Sequence, residues 1–334
     1  MPDISLLPLL ANLFEVTTDF LLGVNIDAKE GTIREILDQA EACFDNGHSR
    51  EAERILRAAL RDYPRRHEIM RSLLYVLGDY PYAEDEAYDE ETANAYNNEI
   101  IAIGEKLLAE SRVDSIRHAA IQLLCLTYPK VGMTDQAERL AKSMPSWYLT
   151  DGCLLRGIYS GTKRYRQTQA NIMEFFNALL TEIDSLPYNV LDDGSRPYSD
   201  EEAIAILKKK IDLAKILLED GDLFFFEQVV ADTYTEIAAR RAELSDHAGT
   251  IETLRLAAEY AVQYDRRDLN LRTIRHTSLI FQGYERKNWI SQREPKNQSL
   301  RQLEQMREKR YDFVREDAAF AAIEHELKKS AKPL

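Results

Sequence analysis

The chain has 334 residues, 30% of them charged and 45% hydrophobic, with a net charge of −14. No apolar run approaches the roughly eighteen residues that a membrane span needs, and MPDISLLPLLANLF lacks the basic start of a signal peptide, so a folded cytoplasmic protein is expected. Three scattered cysteines, Cys43, Cys125 and Cys153, form no CxxC or Cys/His spacing; they fit a reduced compartment, each filling a small buried gap.

From the N-terminus, the spacing predicts a helix over Ser5 to Phe14 with Leu6, Leu7, Leu10, Leu13 and Phe14 on its apolar side. Pro8 is tolerable there because it falls in the first turn. A short helix follows from Thr17, as N-cap, to Leu22, and Gly23 stops it. Pro2-Asp3, the Leu6–Leu10–Ala11–Leu13–Phe14 spacing, Val16, and Asp19 before Leu21-Leu22-Gly23 resemble the last two helices of the phage-repressor (XRE) type of helix-turn-helix domain. The resemblance covers about 22 residues. That domain has three earlier helices, its recognition helix among them, and they are missing from this sequence. The resemblance therefore implies DNA contact only through the missing helices. The apolar face of the two short helices is expected to dock on the rest of the chain or stay exposed.

Residues 1–24 are thus read as the remnant of that domain and 25–31 as a linker. Ile36 to Pro64 then holds two apolar helices around a turn at Asn46-Gly47, where glycine takes the left-handed conformation that ends the first helix. Ile36, Ala40, Cys43 and Phe44 recur at helical spacing, as do Ala52, Ile55, Leu56, Ala59 and Leu60. Tyr63-Pro64 ends the second helix. The positions of Ala40, Gly47, Ala52, Ala59 and Pro64 resemble a tetratricopeptide (TPR) repeat. One such hairpin cannot bury both faces, so neighbours must stack on it.

The next expected helices are His67–Leu77, ended by Tyr80-Pro81, and Thr92–Ala109, separated by an acidic loop at Glu84 to Glu91. Asp114 is expected to cap a helix carrying Ile116, Ala120, Leu123, Leu124 and Tyr128. Gly132, five residues before Ala137, repeats the Gly47–Ala52 interval and marks residues 114–144 as a second repeat. Helices are expected over Asp151–Tyr159, Arg164–Leu186, Asp200–Glu219 with a Ser199/Glu202 capping box, Leu223–Leu244 and Thr250–Tyr264. In the last pair Ala238, Ala257 and Ala258 are the close-contact residues, and Thr250 replaces the expected alanine. Residues 32–265 form the repeat region and 266–334 the C-terminal capping helices, similar to the end of XRE-TPR regulators. This tail holds 16 Lys/Arg and 10 Asp/Glu, or +6, which leaves −20 on residues 1–265. It is expected to pair with the acidic body, which cannot neutralise phosphate by itself. The fold class is therefore all-α, a TPR-like helical repeat solenoid or α-α superhelix.

No catalytic or metal-binding pattern is present, and no cofactor is expected. The six histidines are isolated in sequence; no HExxH, phosphate-binding loop or GxSxG elbow occurs. The resemblance implies a non-enzymatic sensor and oligomerisation region of a DNA-binding transcription regulator, acting as a homodimer on two-fold operators. In similar peptide-pheromone regulators of Gram-positive bacteria the concave face binds a short peptide. Repeat register on Gly47, Pro64 and Gly132 points Glu41, Arg71, Tyr75 and Gln122 toward that face. Arg71, Tyr75 and Gln122 could hold a peptide backbone or carboxylate. The alternative is a stand-alone TPR scaffold that binds a protein partner and never touches DNA; neither reading involves a membrane.

Overall fold

The computed structural model describes residues 4–21, 26–83, 90–146, 149–219, 221–268, 271–287 and 297–332. Much of the acidic loop, Gly23 and Trp147 lie outside them. The fold is all-α, with one small hairpin among the described residues, and it divides into two compact units, Met1–Met144 and Pro145–Leu334.

The first unit begins with a 3-10 turn, Ile4–Leu6, that leads into α1 (Leu7–Leu13), with Pro8 in its first turn as expected. After it comes the four-residue α2 (Thr18–Leu21). Ala11 is buried, but Leu6, Leu9, Leu13 and Phe14 are exposed, so this apolar face remains open.

Six longer helices follow: α3 (Ile26–Asp45), α4 (Ser49–Asp62), α5 (His67–Ala83), α6 (Glu90–Glu110), α7 (Asp114–Thr127) and α8 (Thr134–Ala141). Three of their boundaries correct the sequence reading. Residues 26–31 are helical, not a linker; Lys29 lies 5.4 Å from the Tyr63 ring centroid and Glu30 pairs with Arg66, which holds this first stretch against the end of the next helix. α5 runs through Tyr80-Pro81, because a proline so near the C-terminus forfeits only one late hydrogen bond. Asp114 is the first helical residue and Val113 the cap position, where Ser111 Oγ accepts from the Val113 amide at 3.2 Å.

Each helix packs on the next in order from α3 to α8, and α5 also touches both α3 and α7. Gly47 and Gly132 take φ of 80° and 79°, which lets the chain reverse within two or three residues. Ala40, Ala52 and Ala59 are buried where α3, α4 and α5 meet, with Leu56, Ile69, Leu73 and Leu77. Glycines serve the same end further on. A Cβ on Gly78 of α5 would fall 2.3 Å from Leu123 Cδ1, and one on Gly104 of α6 would fall 2.8 Å from Leu124 Cγ. Polar ties join the outer surfaces: Arg57 of α4 bonds Glu53 and, by both Nη atoms at 2.7 Å, Glu99 of α6. The bidentate geometry suits guanidinium and carboxylate. The cysteines are only half-buried, not enclosed as the sequence suggests.

The second unit contains α9 (Asp151–Ile158), α10 (Gly161–Ser185), α11 (Asp200–Leu217), α12 (Phe226–Glu243) and α13 (His247–Asp265). Then come an antiparallel hairpin of β1 (Thr273–Arg275) and β2 (Glu285–Lys287), with Ile274 opposite Arg286, and the helices α14 (Gln298–Gln305) and α15 (Ala318–Ser330). The Ser199/Glu202 capping box forms as expected. α12 and α13 pack along their whole length on Ala238, Ala257 and Ala258. Thr250 is fully buried there without penalty, since its hydroxyl donates to the Asp246 carbonyl at 2.7 Å. One apolar cluster gathers Met173, Phe176, Leu207, Phe226 and Phe281; another gathers Leu254, Met306, Tyr311, Val314 and Phe320. The basic tail does pair with acidic helices of this unit: Arg267 with Glu227, Arg301 with Asp232, Arg310 with Glu243.

Candidate functional site

Arg71 and Tyr75 stand four residues apart in α5 and so share one of its faces. Tyr75 is 40% exposed and Arg71 half-buried. Glu41 on α3 and Gln122 on α7 are exposed, on two of the helices that touch α5. The four expected residues thus lie on α3, α5 and α7, and α5 touches both of the others. A tyrosine half out of water beside a guanidinium offers apolar area, a hydroxyl and a fork of N–H donors.

A better-defined concavity, missed in the sequence, lies in the second unit. It is a groove of about 450 Å³ over the face of α12 formed by Val229, Asp232, Thr233 and Glu236, at helical spacing. Lys210 of α11, Arg301 of α14 and Arg310 complete its charged wall. Each cation there already has a carboxylate: Lys210 with Asp184 at 2.5 Å, Arg301 with Asp232 at 4.0 Å, Arg310 with Glu308 at 2.7 Å. A ligand would have to exchange these partners, which suits a chain carrying both donors and acceptors. The only sequence signal was the run of polar residues on one stripe of α12, and helical periodicity alone does not separate such a stripe from a solvated face.

The sequence also leaves His276 isolated, yet in space it joins a buried network. Asp222, in the turn before α12, accepts from the backbone amides of Thr277 at 3.1 Å and Ser278 at 2.9 Å, and from the Ser278 hydroxyl. His276 Nδ1 lies 3.2 Å from Asp222 Oδ2, and its Nε2 accepts from Arg286 Nε at 3.0 Å. Burial pushes the Asp222 carboxyl up; the donors from His276 and Ser278 outweigh it and leave it below its ordinary value. Burial pushes the Arg286 guanidinium down to about 10. Asp, His and Ser in contact invite comparison with a hydrolase triad, but the geometry excludes it. His276 Nε2 faces arginine and not the serine, and all three side chains are out of reach of solvent. The network is a clasp that holds the β hairpin to the turn before α12.

Among the described residues no group of three or more His, Cys, Asp and Glu could hold a metal, and no helix is long and apolar enough to cross a membrane. Comparison with protein-family models, with curated proteins and with solved structures finds no match to the chain.

Proposed function

We propose that this chain is the partner-binding, TPR-like helical-repeat region of an XRE-type transcription regulator, with a short peptide or protein segment held by the first helices of the repeats. The observation that carries the reading is that α5 touches both α3 and α7, the three helices that carry Glu41, Arg71, Tyr75 and Gln122. Successive hairpins that pack only on near neighbours, with small residues at the close approaches, are what a helical repeat requires. The open apolar face of α1 supports the link to a DNA-binding domain: Leu9, Leu13 and Phe14 need an apolar cover, and the other helices of such a domain would supply one.

Calorimetry against peptides encoded by short reading frames near the gene tests the reading. Arg71→Ala combined with Tyr75→Ala should abolish binding and leave the melting temperature nearly unchanged, because neither side chain is in the core. A peptide that binds the double variant as tightly as the parent would remove this face from consideration. The stand-alone scaffold is the second reading; the open face of α1 weighs against it.

A further inference from the structure

Two arginines far apart in the sequence converge on one glycine in the second unit. Gly283, in the turn of the β hairpin, has a φ of 67°. A Cβ built on it would lie 3.3 Å from Arg166 Nη2 and 3.4 Å from Arg275 Nη2. The two guanidinium nitrogens are therefore separated by no more than the sum of those distances. Arg166 is held in place: its Nη1 donates to Gln169 Oε1 at 2.9 Å and to the Gln282 carbonyl at 3.3 Å. Gln169 is itself buried and donates to the Ile280 carbonyl at 3.1 Å and to the Tyr165 hydroxyl at 3.0 Å. Among the described residues no carboxylate pairs with Arg166, and the nearest one to Arg275 is Glu285 at 3.8 Å, on an exposed pair that water screens.

The surroundings are mainly basic, with Glu174 as a carboxylate whose charge reaches Tyr284 and Arg286. Residues 152–173 contain Arg156, Lys163, Arg164 and Arg166 and no Asp or Glu, in a chain whose net charge is −14. The hairpin adds the exposed Arg272, Arg275 and Lys287 against Glu285, while Arg286 is turned inward to His276. Like charges brought close repel, and an anion bound between them removes what repulsion water leaves unscreened. Two guanidinium groups turned toward one glycine match a tetrahedral dianion better than a monocarboxylate, which one fork satisfies.

We infer that Arg166 and Arg275 form, over Gly283, a binding site for the phosphate group of a small molecule. The site is separate from the face of α3, α5 and α7, so it stands or falls independently of the reading above.

The test is calorimetric titration of the full chain with inorganic phosphate and with pyrophosphate in chloride buffer at constant ionic strength, with acetate as the monoanionic comparison. Saturable phosphate binding is expected, at least tenfold tighter than acetate. Arg275→Gln should weaken it at least tenfold. This residue is exposed, so the variant will fold even if Arg166→Gln, which loses the tie to Gln169, does not. The melting temperature of the parent should rise with phosphate and that of Arg275→Gln should not. Absence of saturable phosphate binding, equal affinity for acetate, or unchanged phosphate affinity in Arg275→Gln would each overturn the assignment.

Discussion

Arg286 donates from Nε to Nε2 of His276 at 3.0 Å, although both are buried and both are bases. The contact orients the imidazole, so that its Nδ1 lies toward Asp222 Oδ2. One carboxylate thus organises a histidine, a serine and two backbone amides. Removing it leaves all of these without their acceptor in a site closed to water.

Asp222→Ala is accordingly expected to lower stability by about 3–5 kcal/mol, the range for breaking one partner of a buried charged network. Asp222→Asn, which keeps the shape but loses the charge, should cost less. The pH dependence follows from the lowered carboxyl. A group depressed in the folded state contributes stability that is fully present above its unfolded value of about 3.9 and is lost as pH falls through the folded value. Urea unfolding from pH 5 downward should therefore show a loss below about pH 4 that is smaller in Asp222→Asn. An equally steep loss in both proteins would show that other carboxylates govern acid unfolding.

A second prediction uses the α3–α4 hairpin. Ala52 has no exposed surface, whereas Arg54 is 73% exposed and touches only Glu51. Ala52→Leu inserts methylenes between close backbones and should cost about 1–3 kcal/mol or more. Arg54→Leu loses only an exposed ion pair that water screens and should be nearly neutral. Thermal denaturation of the two variants should separate them clearly; matching melting temperatures would contradict the register.

The hairpins were legible because their signals are local. Gly47, Ala52 and Pro64 act within one turn of themselves, and the alanine periodicity reports directly on a buried helix face. The Ser199/Glu202 box is equally local, joining residues three apart. By contrast, nothing near residue 31 announces that the helix begins at Ile26, since the holding contacts are with Tyr63 and Arg66, more than thirty residues on. The groove over α12 and the Asp222–His276–Arg286 network were out of sight for the same reason. Asp222 and His276 are separated by an entire helix pair, and only the fold brings them together. Exposure of the α1 face was foreseen as one of two outcomes, because a sequence shows an apolar stripe but not what covers it.

A third prediction concerns alkaline pH. The Tyr128 hydroxyl donates to Glu105 at 2.9 Å, and burial, with that carboxylate, pushes the phenol up to about 12. A raised phenol contributes stability that is fully present below its unfolded value of about 10 and is lost as pH rises through the folded value. Burial raises the Tyr188, Tyr284 and Tyr311 phenols as well, so ultraviolet titration of tyrosinate should show several late-ionising phenols and one fewer in Tyr128→Phe. If the Phe variant leaves the late step intact, other tyrosines account for it.

The last prediction sets two helical glycines against each other. Gly31 lies inside α3 with nothing within 4 Å of where a Cβ would stand. Replacing it by alanine adds no clash and gains helix propensity of about 0.8–1 kcal/mol, through a smaller loss of backbone freedom on folding. Gly104 lies inside α6, and a Cβ there would meet three carbons of the Leu124 side chain at 2.8–3.2 Å. Leu124 is itself fully buried, so it must shift against packed neighbours, at about 1–3 kcal/mol. The propensity gain is the same at both positions, so the packing term decides the sign. Gly31→Ala should raise the melting temperature and Gly104→Ala should lower it, as read by circular dichroism at 222 nm. The first result also tests where α3 begins: in a flexible linker, alanine at position 31 would gain no helix propensity, and an unchanged melting temperature there would return residues 26–31 to the linker reading.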